Sequence, residues 1–156
     1  MPLTKIEEYL RENDISFNKI VHHTTHTAQR TAADVHLTGH EIAKTVIVKM
    51  DSKLAMVVLP GDMHVNLEQL RIETKSENIR LASESEFKDS FGNCEVGAMP
   101  PFGNLYDMPV YVAKSLTTEV FVAFNACAHD LLIQMKYKDF EALVKPTILE
   151  IALKTA

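Results

Sequence analysis

The chain has 156 residues, 46% hydrophobic and 24% charged, with a formal net charge of −5. That is a globular composition, long enough to bury the core of one ordinary domain. No apolar run reaches the ~20 residues of a membrane span, and Met1-Pro2-Leu3-Thr4-Lys5 lacks the basic-then-apolar order of a signal peptide, so no membrane partner is expected. The acidic balance argues against broad nucleic-acid binding, which needs a basic face, and no DNA partner is expected. It leaves room for a protein that grips only the end of one RNA. Cys94 and Cys127 lie far apart with no CxxC, which reads as two unpaired thiols in a reducing cytoplasm.

Thr4-Lys5-Ile6-Glu7 reads as a capping box opening a helix with Leu3, Ile6 and Leu10 on one face, ended by Asn13-Asp14. Ile15, Phe17 and Val21 then alternate as in a strand. Thr27 to His36 reads as a short helix closed by Gly39. The apolar, β-branched runs Thr45 to Met50 and Leu54 to Leu59 flank Asp51-Ser52-Lys53 as a hairpin, and Pro60-Gly61 breaks the second strand. Asn66-Leu67-Glu68-Gln69 opens another helix, Ile79 to Ala82 is a short strand, and Ser83-Glu84-Ser85-Glu86 is a second capping box. Val110 to Val112, Glu119 to Asn125 and Leu131 to Met135 read as late strands. Lys138 to Val144 is a helix stopped by Pro146, and Ile148 to Leu153 reads as a further helix. Helices and hairpin-linked strands intermix. The expected fold is therefore α+β: a single compact domain over residues 1–156, with a mixed, largely antiparallel, barrel-like sheet flanked by helices.

Two segments stand out for chemistry. Lys44 opens the apolar strand Val46-Ile47-Val48 and by alternation shares a face with Val46 and Val48. A lysine there either snorkels to water at a strand end or points into a cleft, where its charge could hold a phosphate, a carboxylate or a developing oxyanion. The second segment is Gly97-Ala98-Met99-Pro100-Pro101-Phe102-Gly103. Glycine permits close backbone approach to a ligand, and the prolines fix the geometry in advance. Pro100 and Pro101 carry no amide donor, which leaves donors at Gly97, Ala98 and Met99. The alternative is a tight crossing between sheets.

His22, His23 and His26 cluster, but no HExxH or cysteine partner accompanies them, so no metal is expected. His36 and His40 flank a helix end. His129 lies in Phe124-Asn125-Ala126-Cys127-Ala128-His129, where small residues between two strands could open a pocket; a turn histidine in water is the alternative. There is no GxSxG, P-loop or GxGxxG, and no cofactor is called for. The small apolar residues around Cys127 fit core packing. Any catalysis would rest on positioning and backbone donors.

These segments resemble the YbaK/prolyl-tRNA-synthetase-associated domain family of aminoacyl-tRNA deacylases. The matching positions are Lys44-Thr45, Leu59-Pro60, Gly97-Ala98-Met99-Pro100-Pro101-Phe102, Phe124-Asn125-Ala126 with His129, and Leu131-Leu132-Ile133 leading to Asp139-Phe140, spanning about residues 15 to 146. One departure is Cys127, where the family pattern has a glycine. The resemblance implies hydrolysis of the ester joining an amino acid to the terminal adenosine of tRNA. It implies Lys44, Gly97 and His129 as catalytic residues, with Lys44 on the terminal phosphate or adenosine and donors around Gly97 on the aminoacyl carbonyl. Thr45, Ala98, Met99, Pro100, Pro101, Phe102, Asn125 and Ala126 would bind substrate, with Met99 to Phe102 walling the amino-acid pocket by size. The implied partners are the aminoacyl-tRNA acceptor end and a synthetase or elongation factor that delivers it.

Two other readings stand beside the deacylase. One is a non-catalytic module that binds a small ligand or an aminoacyl end and regulates something else. The other is a metal-dependent hydrolase using the histidine cluster.

Overall fold

A computed structural model describes residues 5–21, 42–92, 94–95 and 97–154. The expected helix from Thr27 to His36 and the histidines His22, His23, His26, His36 and His40 lie outside the described residues, as does the cap residue Thr4. Helix α1 (Lys5–Glu12) buries Ile6 and Leu10 from one face and ends as Asp14 takes a left-handed φ of 57°. Strand β1 (Phe17–Val21) follows.

Strands β2 (Ala43–Met50) and β3 (Lys53–Pro60) form the expected hairpin, pairing from Ala43 with Pro60 to Met50 with Lys53. Asp51 opens its turn at φ 56°, a conformation Asp tolerates, and its carboxylate accepts the amides of Glu77 (3.1 Å) and Asn78 (2.9 Å). Next come β4 (Met63–Val65), α2 (Leu67–Thr74), β5 (Ile79–Leu81) and α3 (Glu84–Phe87). Asn66 caps α2 by accepting the Gln69 amide (3.1 Å). Glu86 folds back on the Ser83 amide (2.9 Å), the reciprocal half of a capping box. The rest is β6 (Val110–Ala113), β7 (Phe121–Asn125), β8 (Leu131–Lys136), α4 (Tyr137–Val144), β9 (Thr147–Leu149) and β10 (Ala152–Lys154).

The helix expected over Ile148 to Leu153 is corrected to two strands. Pro146 stops α4, and the β-branched Thr147-Ile148 then continues extended and pairs in parallel with β6. Ile151 is buried in the core, and β10 turns back to pair with β4.

The strands form a five-stranded sheet (β5-β2-β3-β6-β9), a three-stranded sheet (β1-β8-β7) and the β10-β4 pair. Most pairings are antiparallel; β3–β6 and β6–β9 are parallel. The fold is thus α+β with largely antiparallel sheets. The described strands do not close into a barrel. The central strand β3 is buried from Ala55 to Pro60, as expected for a strand covered on both faces. One face joins Ile47, Met56 and Val58 to Val122, Phe124 and Ile133 of the smaller sheet, and to α1 and α4. The other packs Val48, Val57 and Leu59 against Leu70 of α2 and Ile151. A parallel bridge between Ile42 and Ala123 ties the start of β2 to β7.

Candidate functional site

The segment from Gly97 to Gly103 runs from exposed to buried. Gly97 is exposed, while Ala98 to Gly103 are all buried. Phe102 sits inside an aromatic cluster, with ring centroids 6.0 Å from Tyr9, 5.4 Å from Phe124 and 5.3 Å from Phe140. Gly103 then passes so close to the backbone of Met108 that an added Cβ would lie 2.5 Å from its carbonyl oxygen. Phe102 is therefore a core anchor. Its bulk fixes the loop from below, whereas the sequence reading set it in the wall of a ligand pocket.

Gly97 adopts φ +87°, a backbone conformation that side chains disfavour. A Cβ there would meet the His129 ring at 3.2 Å (Cε1) and 3.6 Å (Nε2). Two residues singled out from separate parts of the sequence thus lie side by side, with no room between them for a further side chain. His129 is held by the turn between β7 and β8. Asn125 bridges that turn, its Nδ2 donating to the carbonyls of Ala128 (3.3 Å) and His129 (3.5 Å). Glu95 ties the two segments together. Its carboxylate accepts the His129 amide (3.1 Å) and lies 4.0 Å from His129 Nε2, while its own amide donates to the Cys127 carbonyl (3.0 Å). The Cys127 amide in turn donates to Ala98 O (2.8 Å).

Two of the three amide donors expected to meet a ligand are already engaged. Ala98 N–H donates to Glu95 O (3.0 Å). Gly97 N–H donates to the Met99 thioether sulfur (3.2 Å), a weak acceptor that a carbonyl or oxyanion would readily replace.

Cys127 occupies a left-handed position with φ 71°. Glycine would hold this backbone without strain, and the cysteine here keeps it against its own preference. Its sulfur is bonded to that of Cys94, with Cα atoms 4.2 Å apart. The expectation of two unpaired thiols is corrected. A separation of 33 residues in sequence closes to bonding distance because the β7–β8 turn folds onto the segment preceding Gly97.

The disulfide lies in the wall of a cleft of about 850 Å³, shared with Lys5, Lys19, Phe91, Tyr106, Ala126 and Leu131. Lys5 stacks over the Tyr106 ring (4.7 Å) and donates to Leu105 O (3.0 Å); Lys19 pairs with the buried Glu7 (3.1 Å). Burial pushes the Tyr106 hydroxyl above its ordinary value, so it stays a neutral donor. Beyond Phe91 and Cys94 lies a smaller cavity of about 180 Å³ that Met99 also lines.

Lys44 does not line either space. It shares its face of β2 with Val46 and Val48, which belong to the cluster beneath α2. It stands two residues after the bridge that joins Ile42 to Ala123, and Asn125 stands two residues after the same bridge on β7. Burial lowers its pKa from the ordinary lysine value, with the Asp62 carboxylate partly restoring it. Thr45, paired with Val58, is half-buried on the opposite face. Glu95, Tyr106 and the Cys94–Cys127 pair escaped the sequence reading. Only the cysteine in place of glycine gave any signal.

Such a site, a glycine at positive φ against a histidine beside a cleft that Phe91 and Tyr106 line, suits positioning of a small polar group. Residues 22–143 match the family of aminoacyl-tRNA editing domains, and the chain belongs to that family. It is 27% identical over 100 residues to a proline–tRNA ligase of Bacillus mycoides (strain KBAB4), covering 64% of this chain and 17% of the ligase. A proline–tRNA ligase of Bacillus cereus (strain G9842) is 25% identical over 117 residues, or 75% of this chain and 20% of that one. The chain thus spans about a fifth of the length of these relatives. Among solved structures, a hypothetical protein superposes with a TM-score of 0.86 at 21% identity, covering 96% of this chain and 99% of the other. A candidate trans-editing enzyme for prolyl-tRNA synthetase superposes with a TM-score of 0.81 at 17% identity, covering 99% and 100%. At these identities the superpositions establish the fold. Among the described residues no group of His, Cys, Asp and Glu is arranged to hold a metal, and no helix is long and apolar enough to cross a membrane.

Proposed function

We propose that this chain is an aminoacyl-tRNA deacylase. It hydrolyses the ester between a small amino acid and the terminal adenosine of a mischarged tRNA, acting in the cytoplasm as one editing-type domain over residues 1–156. The observation that carries this reading is the close juxtaposition of Gly97 and His129 in a chain of the editing family. In the reaction a water oxygen bonds to the ester carbonyl carbon, the bond to the ribose oxygen breaks, and a water proton ends on that ribose oxygen. The products are the free amino acid and the tRNA.

The Gly97 amide, released from Met99 Sδ, would donate to the oxyanion that forms on the carbonyl. His129 would orient the attacking water or the neighbouring ribose hydroxyl, held in place by Glu95 and Asn125. Lys44 would hold the terminal phosphate. Its desolvated ammonium supports this, because a charge kept partly out of water is a common mark of a functional position. Thr45, Ala98, Asn125 and Ala126 would shape the pocket floor. The small cavity beside Met99 supports selection for small side chains, since it lies below the ~300 Å³ of ordinary ligand sites. Pro100 and Pro101 would keep that wall from yielding. An elongation factor or a synthetase would present the acceptor end, consistent with a net charge of −5 and few phosphate contacts.

The test is single-turnover hydrolysis of alanyl-, seryl-, threonyl-, valyl- and phenylalanyl-tRNA by the purified chain. Alanyl and seryl esters should be cleaved at similar rates, because one small group changes selectivity by only ~1–3 kcal/mol. Phenylalanyl-tRNA should persist. Hydrolysis of none of the five would replace this reading with a binding module, and rapid loss of phenylalanyl-tRNA would remove the size argument.

A further inference from the structure

We propose that Cys94 and Cys127 form a thiol–disulfide exchange site in the cleft wall, open to small thiols and disulfides, whose oxidised state holds the proposed editing site assembled. Two independent observations carry this. The sulfurs are bonded to each other and line the cleft of about 850 Å³, where a small reagent can reach them. Cys127 also keeps a φ of 71° that glycine would hold without strain. A cysteine there costs backbone energy, and its partner lies in the other segment of the same site.

The bond joins the segments that carry Gly97 and His129. Around it run the Glu95 amide to Cys127 O (3.0 Å), the Cys127 amide to Ala98 O (2.8 Å) and the Glu95 carboxylate to the His129 amide (3.1 Å). Reduction breaks the sulfur–sulfur bond. Two electrons and two protons pass to Cys94 and Cys127, giving two thiols, while two thiols of a reductant such as glutathione become one disulfide. Once the bond is broken the two sulfurs repel at close range, so the segments separate or turn their side chains aside. A displacement near ~1 Å can cost ~100-fold in a reaction that depends on positioning. The strained turn at Cys127 also gains freedom once untied.

The rate effect rests on the deacylase reading, so the experiment carries two readouts. Wild type and Cys94→Ser are equilibrated in glutathione buffers from fully reduced to fully oxidised. Free thiols are then counted by alkylation and mass spectrometry, amide exchange is followed over residues 126–130, and alanyl-tRNA hydrolysis is timed. Wild type should pass from two alkylated cysteines to none. In the oxidised state its 126–130 amides should exchange at least ~10-fold more slowly, and hydrolysis should be at least ~10-fold faster. Cys94→Ser should stay at the slow rate in every buffer, and Cys127→Gly, which suits the backbone, should be equally indifferent to redox state. Thiol counts that do not change across the buffers overturn the proposal, as does equal exchange at the two ends or, where tRNA is hydrolysed, an equal rate at the two ends. If no tRNA is hydrolysed in either state, the deacylase reading falls, and amide exchange alone decides whether the loops are redox-linked.

Discussion

Gly97→Ala tests the contact on which the site depends. The new methyl meets two costs. A residue other than glycine at φ +87° is strained by ~1–2 kcal/mol. For 156 residues, at ~2.1 cal/mol/K of unfolding entropy per residue, that lowers Tm by about 3–6 °C. The second cost is local: the methyl stands 3.2 Å from His129 Cε1, tighter than ordinary contact, so the ring must give by a few tenths of an ångström. If ~1 Å of misplacement costs ~100-fold, a shift of that size should lower kcat by about 3- to 10-fold. Single-turnover deacylation and a thermal melt read the two effects separately. Repeating the substitution in a His129→Ala background removes the ring. The thermal cost should remain there and the rate penalty should vanish, since only contacting residues couple. An undiminished kcat in Gly97→Ala, or the same penalty in both backgrounds, would refute the reasoning.

Lys44→Met should separate function from stability: it keeps the apolar stem and removes a desolvated charge, so Tm should hold or rise while deacylation falls at least ~100-fold. The sign follows from the lowered pKa, because wild-type stability should climb as pH rises towards the ordinary lysine value, and a Lys44→Met melt should lack that climb. Glu86, bonded to Arg80 (2.7 and 2.8 Å), the Ser83 amide and Lys49 (3.0 Å), has its carboxyl held far below the ordinary range, chiefly by Arg80. Its contribution is complete above an ordinary glutamate pKa of ~4.3 and is lost as pH falls below it, so Glu86→Gln should flatten the acid limb of Tm against pH. Phe102→Ala should cost ~3–5 kcal/mol, about 9–15 °C in Tm, as a core cavity rather than as a change of amino-acid preference. A soluble, undestabilised Phe102→Ala with altered selectivity would return that ring to the pocket wall.

The elements that the sequence announced are those whose signals are local. The β2–β3 hairpin needs only two β-branched runs and an Asp that tolerates positive φ. Helix α1 needs a stripe of Ile6 and Leu10 and an end at Asn13-Asp14. The strands β9 and β10 failed because their partners, β6 and β4, are remote in the chain, and five apolar residues among six look the same as a buried helix. Gly97 and His129 were each visible as residue types out of place. Their contact was not, since it depends on the β7–β8 turn folding over the loop. Cys127 was visible as a departure from a glycine, but its partner could only be found in three dimensions.

The proline loop shows how one motif divides its work in a way that composition hides. Read as a string, Gly97 to Phe102 offers bulk, rigidity and open backbone together, and all three point to a ligand. The structure spreads them along a gradient of burial. Phe102 and Gly103 are locked among Tyr9, Phe124, Phe140 and the Met108 backbone, while Gly97 remains exposed beside His129. Pro100 and Pro101 join the two ends and remove the torsional freedom that would let the exposed end drift. Met99 links them chemically, packed in the core yet placing its sulfur on the Gly97 amide. Precision at the reactive end is thus obtained from packing several residues away. It follows that substitutions in the aromatic cluster should reach the chemistry through Gly97, by loosening the loop, before they alter the shape of the cleft.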